Sequence, residues 1–484
     1  MTGRRGRHRY RAWDGIQAHA VIPPEDLLQQ LGDRFLSEEA DQVLNDAIHR
    51  GLTSSDGSRL AGIDDLRGQI RQQLRDLEMS DLQLSMEEGT SGLSDDARDL
   101  LRDLAASPSQ AGRLLAGASP GARDELSQLR TPGGPLQDSG DLTQLIDLAM
   151  LDHDLRRLRQ VSDVRDLSID AIAAVLGDDL AAQFAALNAT LTTFVSRGYV
   201  DGSGSGLTPQ ALRKLGLKLL QETITDIESR LSGDHEAQRA GAGGERADST
   251  RSYQFGDPFD LDLAGTVLQA VRRAPGTPVQ LHPRDMTIFE REETGRVAMV
   301  LAIDRSRSMG ERGYLLAAKR MALSLASLID TRFPRDRLDL LAFSSEAEPV
   351  SVPDLASLDW ERYAVGTNIH DALAAGRRKL AEATGLQRTL VIITDGEPTA
   401  YRTRSGEVCY SEPPSEEALA MTYAEARRLR RDQILLIVAL LSQERQTVNF
   451  AEQLAKEAGG QLVIAEPDSL NVAMLMGYRS LRRV

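Results

Sequence analysis

Seven consecutive apolar residues, Val297-Ala298-Met299-Val300-Leu301-Ala302-Ile303, stop abruptly at an aspartate, Asp304. A run without polar alternation reads as a strand buried on both faces, the mark of a parallel sheet covered by helices on each side. Similar pieces follow. Leu338 to Phe343, Thr389 to Thr394, Ile434 to Leu441 and Gln461 to Ile464 are short apolar runs, and Glu348 to Val352 suits a brief edge strand. Between them, helical spacing covers Tyr314 to Phe333, Thr367 to about Ala383, Ser415 to Arg431 and Val448 to Ala458. Strands alternating with helices predict a doubly wound, mostly parallel, Rossmann-like α/β domain over 296–484.

In such sheets, functional loops lie beyond the carboxyl ends of the strands. Asp304 leaves one such end and is followed by Arg305-Ser306-Arg307-Ser308. In extended chain, alternate side chains point the same way, so Asp304, Ser306 and Ser308 are expected to converge while Arg305 and Arg307 point away. Thr367 and Asp395 follow at loops after later elements. All five offer hard oxygen donors, which suit Mg²⁺ or Mn²⁺ better than a soft metal and leave room for water or a partner's oxygen.

The pattern Asp304-x-Ser306-x-Ser308, the Gly366-Thr367-Asn368 turn and Thr394-Asp395-Gly396 resemble, in order, spacing and flanks, the three-part metal-ion-dependent adhesion site (MIDAS) of von Willebrand factor A (VWA) domains. The resemblance implies that Ser306, Ser308 and Thr367 ligate directly and that Asp304 and Asp395 act directly or through water. It also implies a protein-binding site that captures a partner's carboxylate. The layout as a whole is similar to bacterial VWA proteins that accompany MoxR-type AAA+ ATPases and to the D subunit of magnesium chelatase. In those systems the ATPase is a separate chain. No G-x-x-x-x-G-K-[ST] occurs in this sequence, so ATP-driven work would come in trans.

The first half reads as all-α. Ile63, Leu66, Ile70, Leu74 and Leu77 form one stripe, and Leu142, Leu145, Ile146, Ala149, Leu155 and Leu158 a second. Leu212, Leu215, Leu219, Ile224, Ile227 and Leu231 form the longest. Ser94, Ser119 before Pro120, and Thr208 before Pro209 are expected N-caps. Expected boundaries are a helical region over 1–165, a helical subdomain over 166–232, a flexible linker over 233–258, a lead-in helix and strand over 259–295, and the VWA domain over 296–484. The linker is read from Gly233 to Arg251, where glycine, alanine, serine and charge replace any apolar period.

Charge limits the partners. With 57 basic and 72 acidic residues the net charge is −15, which disfavours nonspecific attraction to nucleic acid. The basic start, Arg4 to Arg11, reads as a solvated terminus. No apolar run approaches the ~18 residues that cross a bilayer, and a single cysteine, Cys409, cannot form an internal disulfide. Both features agree with a cytoplasmic protein. The expected function is a non-catalytic, metal-dependent adaptor. Two other classes compete: a Mg²⁺-dependent phosphatase-like hydrolase with Asp304 as nucleophile, and a passive scaffold. The hydrolase usually wants an acid two residues on, where Ser306 stands. His370 and Asp371 are expected on a solvated helix face, Glu397 lies close enough to support the ligands, and Arg305 and Arg307 are loop arginines that could meet an acidic partner.

Overall fold

The computed structural model describes residues 21–54, 57–77, 93–129, 140–158, 161–201, 206–232, 246–252, 262–274, 282–291, 296–361, 366–403 and 406–481. The basic start and residues 233–245 and 253–258 of the expected linker lie outside them. The chain divides into two compact units, Met1–Leu215 and Gly216–Val484.

Unit 1 is helical, as its leucine spacing requires. Its elements are α1 (Pro24–Gln30), α2 (Gly32–Phe35), α3 (Ala40–Arg50), α4 (Ile63–Asp76), α5 (Asp95–Ala106), α6 (Ala111–Gly117), α7 (Pro120–Leu129), α8 (Gly140–Arg157), α9 (Ile169–Leu176) and α10 (Asp178–Ser196), with the small hairpin β1 (Leu52–Thr53) and β2 (Arg59–Leu60). The stripe residues of α4 and α8 are buried, except Leu77, which follows α4 as its C-cap and is half-buried. Helix starts follow the expected caps: the hydroxyls of Ser94, Ser119 and Thr208 accept hydrogen bonds from the amides of Ala97, Ala122 and Ala211, each at 3.3 Å. Phe35 stacks on Phe194 at 5.4 Å and Tyr199 meets Phe194 edge-on at 5.2 Å, giving the core an aromatic centre. One buried acid, Asp152, is neutralised by Arg67 at 3.1 Å and Arg156 at 2.8 Å.

The next helix, α11 (Pro209–Ser232), continues past the unit boundary. Its stripe departs from expectation at one point: Ile224 is exposed while Thr223 is buried, so the inward face runs through 212, 215, 219, 220 and 223. In the interval expected to be a linker, β3 (Arg246–Ser252) pairs antiparallel with β4 (Thr287–Arg291), Arg251 opposite Ile288. A strand of Arg, Ala, Asp, Ser and Thr has no apolar period, so hydrophobic patterning cannot reveal it. Helix α12 (Leu263–Arg273) lies between these strands in sequence.

The main sheet of unit 2 contains β5 (Val297–Asp304), β6 (Arg337–Phe343), β7 (Ala347–Val350), β8 (Gln387–Thr394), β11 (Leu435–Leu440) and β12 (Gln461–Ile464), and β9 (Ala400–Arg402) and β10 (Val408–Tyr410) form a separate hairpin. The spatial order is β12-β11-β8-β5-β6-β7, parallel throughout except for the antiparallel edge strand β7. The helices are α13 (Arg307–Glu311), α14 (Tyr314–Arg332), α15 (Ile369–Ala381), α16 (Glu416–Arg431), α17 (Arg445–Ala458) and α18 (Leu470–Leu481). Alternation within each strand divides the core. Val300, Ala302, Ile392, Val438 and Leu440 face Ile369, Leu373, Leu429, Phe450 and Leu454 of α15, α16 and α17. Burial of every residue of β5 shows that the opposite face is covered as well. This is the expected doubly wound α/β fold.

The order also fixes where a site can form. The chain proceeds from β5 to β6 on one side, then returns to β8 on the other side of β5. The carboxyl ends of β5 and β8 therefore flank the point where winding reverses, where a crevice opens between the loops. Asp304 closes β5, and Asp395 follows β8 directly.

Candidate functional site

At the end of β5 the chain stops being extended. Ser306 is the N-cap position of α13, and Ser308 lies in that helix's first turn, so the two hydroxyls meet through a strand-to-helix turn rather than through extended alternation. Their oxygens are 3.2 Å apart. The Ser308 hydroxyl donates to Asp395 Oδ1 at 2.8 Å, which joins the first motif to the third across 87 positions. Asp304 is held from two sides: the Ser306 amide donates to Oδ1 at 2.8 Å, and the Thr394 hydroxyl donates to Oδ2 at 2.6 Å. Sequence reasoning gave Thr394 no role of its own. Its signal was its place as the last residue of β8, beside the end of β5.

Thr367 reaches the same rim from another loop. Gly366 has φ +86°, and an added Cβ there would sit 2.7 Å from the Tyr410 ring and 2.9 Å from the Thr399 hydroxyl, so only glycine fits. The Thr367 amide donates to Thr399 Oγ1 at 2.8 Å, and its carbonyl accepts from the Ala400 amide at 3.3 Å. Asn368 caps α15 by accepting from the Asp371 amide at 3.0 Å, and it ties the loop to β6 by donating to the carbonyls of Ser344 and Ser345. Ser306, Ser308, Asp304 and Asp395 thus form one hydrogen-bonded cluster with Thr394. Thr367 is fixed through its backbone, and among the described residues no hydrogen bond links its hydroxyl to that cluster.

Electrostatics mark the cluster as short of positive charge. Asp304 is fully buried, and burial, with the Asp395 charge adding, pushes its carboxyl up to about 7 against the lowering effect of Thr394 and Ser306. Burial also raises Asp395, opposed by Ser308 and by Arg312. Arg312 is the nearby cation: its Nη1 lies 3.3 Å from Asp395 Oδ2 and its Nη2 3.4 Å from Glu444 Oε1. Among the described residues no three His, Cys, Asp or Glu side chains gather, so a cation here would rest on hydroxyls as much as on carboxylates. Two carboxylates and neutral hydroxyls are the donor chemistry of a hard divalent ion.

The neighbouring side chains depart from their expected roles. Arg305 is committed inside the protein, to Glu361 at 2.5 Å and Glu348 at 3.2 Å, so its guanidinium is not offered to a partner. Glu361 also accepts from Ser344 Oγ, and the Trp360 ring next to it lies so close to Gly310 that a Cβ there would meet the ring at 2.2 Å. These contacts clamp the α13 turn. Asp371 is buried and accepts from the Ala347 amide at 2.9 Å rather than lying on a solvated face, and His370 is half-buried. Arg307 pairs with Glu311 one turn on at 2.6 Å. Glu397 accepts from Gln446 at 3.2 Å.

Residues 297–479 match the family model described as Rv0959-like protein, vWA domain, and residues 245–291 match that of the Rv0959-like protein, third domain. The uncharacterized protein Rv0959 of Mycobacterium tuberculosis is 31% identical over 365 residues, covering 73% of this chain and 54% of the relative. The uncharacterized protein Mb0984 of Mycobacterium bovis gives the same figures. The chain therefore spans about half the length of these relatives. Among solved structures, the SpRpn10 VWA domain aligns with TM-score 0.27 at 13% identity, covering 39% of this chain and 98% of that one. The PilB minor pilin from Streptococcus sanguinis aligns with TM-score 0.33 at 14% identity, covering 41% and 64%. The buried strand, the switch-point loops and the matched model agree that residues 297–479 form a VWA domain.

Proposed function

We propose that the chain is a non-catalytic adaptor that captures an acidic side chain of a protein partner at a divalent metal held by Ser306, Ser308, Thr367, Asp304 and Asp395. A VWA domain supports a protein-interaction role in general terms, and the metal, its ligands and the partner are our reading. The observation that carries it is the Ser306-Ser308-Asp395 cluster beside the buried Asp304, where two carboxylates face one neutral hydroxyl pair. Mg²⁺ or Mn²⁺, when bound, would supply an incompletely filled coordination shell to which a partner's carboxylate can add.

The protein's own residues do the remaining work. Thr394 and the Ser306 amide keep the Asp304 carboxylate in one orientation, Ser308 orients Asp395, and the Gly366 turn presents Thr367. Full burial of Asp304, with both oxygens engaged, suits a supporting role better than that of an attacking nucleophile. We further propose, from the resemblance of the layout to VWA proteins that accompany MoxR-type AAA+ ATPases, that the partner is such an ATPase on a separate chain, in remodelling or metal insertion; the lack of a G-x-x-x-x-G-K-[ST] in this sequence is consistent with that division. The test is capture of partner from the native cell by the full chain, in Mg²⁺ and in EDTA, with Asp304→Ala alongside. Metal-dependent capture lost in the variant supports the reading, and capture retained in EDTA contradicts it.

A further inference from the structure

Arg312 is the feature of this site that no ligand motif contains. It stands four residues beyond Ser308, and its amide donates to the Ser308 carbonyl at 3.0 Å, so both side chains rise from the same face of one helical turn. That places the guanidinium over Asp395, whose carboxylate is 1% exposed, with Nη1 at 3.3 Å from Oδ2. The other arm, Nη2, reaches Glu444 at 3.4 Å, and that carboxylate is 68% exposed. One cation therefore bridges a buried acid of the proposed site and an acid at its solvent edge.

We infer that Arg312 is an internal competitor for the metal: it neutralises Asp395 when no dication is bound and has Glu444 ready as its alternative acceptor. This inference rests on the metal-site reading above. A fixed positive charge beside Asp395 opposes a second cation at the same carboxylate, and the guanidinium occupies an oxygen that a dication would otherwise draw on. Metal affinity is therefore held below what the five donors alone would give. A partner's carboxylate, carrying negative charge toward both cations, relieves the repulsion. Metal and acidic partner then strengthen each other's binding, with the reciprocity that linkage demands. Arg307, on the same short helix, is an internal comparison, because it carries the same charge but pairs outward with Glu311.

The experiment is a Mn²⁺ titration of the full chain, read by the loss of the free-ion electron paramagnetic resonance signal. It compares the wild type with Arg312→Gln, Arg312→Lys and Arg307→Gln. Arg312→Gln is expected to bind Mn²⁺ about tenfold more tightly, the scale of one partly screened charge within a few ångströms. Arg312→Lys, which keeps the charge, and Arg307→Gln, which leaves Asp395 untouched, should stay near wild type. Equal or weaker binding by Arg312→Gln overturns the inference, as does an equal gain in Arg307→Gln, which would make the effect one of net charge alone. If neither wild type nor Arg312→Gln takes up Mn²⁺, the metal-site reading itself has failed, a result distinct from two measurable but equal affinities.

Discussion

Replacing Thr394 by valine removes one hydroxyl from the site while keeping its shape. The hydroxyl donates to Asp304 Oδ2 at 2.6 Å, and both residues are buried, at 1% and 0% exposure. A hydrogen bond to a charged acceptor contributes roughly 1.5–3 kcal/mol, and an abandoned buried acceptor has no water to replace the donor. Thr394 Oγ1 also accepts from the Gly396 amide at 3.2 Å, and valine forfeits that contact too. The expected loss for Thr394→Val is therefore roughly 2–3 kcal/mol in the metal-free protein. Thr394→Ser keeps the hydroxyl and loses only a methyl group, about 0.8 kcal/mol. Urea unfolding in EDTA at about pH 8.5, above the value of about 7 to which burial lifts Asp304 so that the acceptor is charged, measures both through tryptophan fluorescence, Trp360 lying in the same unit. In an Asp304→Asn background the acceptor is neutral, and the Thr394→Val penalty should shrink by about 1 kcal/mol. A valine variant as stable as wild type, or a serine variant as damaged as the valine one, would refute the assignment of this hydroxyl to Asp304.

Other perturbations reach different parts of the chain. Gly366→Ala forces a side chain into φ +86° and against Tyr410, Thr399 and Ala400, so unfolding stability should fall by roughly 2–4 kcal/mol, with Mn²⁺ affinity falling as Thr367 shifts. Lys214 first, and then Tyr199, hold the Glu25 carboxyl down, from 4.5 to about 2. A depressed carboxylate stabilises the folded state above its unfolded value and loses that contribution as pH drops through the folded one. Unit 1 should therefore weaken between about pH 4.5 and 2 in thermal melts, and Glu25→Gln should flatten that slope. Lys319 is buried, which lowers its ammonium from 10.5 to about 8. Across that window the unfolded chain holds more protons at this side chain, so stability rises with pH, and Lys319→Met should abolish the rise relative to wild type.

The sheet was legible because buried parallel strands are written as continuous apolar runs, and every strand of the main sheet lies where such a run or the brief edge pattern stands. Helix starts were legible where a hydroxyl precedes the first turn, as at Ser94, Ser119 and Thr208. What the sequence hid depends on contacts between distant positions. The approach of Arg305 to Glu361 spans 56 residues, and the chain has no periodic signal for it. Strand β3 escaped because its residues are polar and its support is pairing with β4. The hairpin β9–β10 has strands of three residues each, too short to show a period, yet its Tyr410 ring helps to enforce glycine at position 366. Arg312 stayed hidden because reading 304–308 as extended chain missed the turn into α13, and only a helical turn carries position 312 back over Ser308.

Direct uptake of a hard dication by the full chain tests the account at its centre. A titration of wild type with Mn²⁺, repeated with Asp304→Ala, Ser308→Ala and Thr367→Ala and with folding checked by circular dichroism, should give one site per chain that Mg²⁺ competes for and that each folded variant loses or weakens at least tenfold, the scale expected for one missing ligand or its support. A folded wild type that takes up no Mn²⁺, or folded variants that bind as well as wild type, would contradict it.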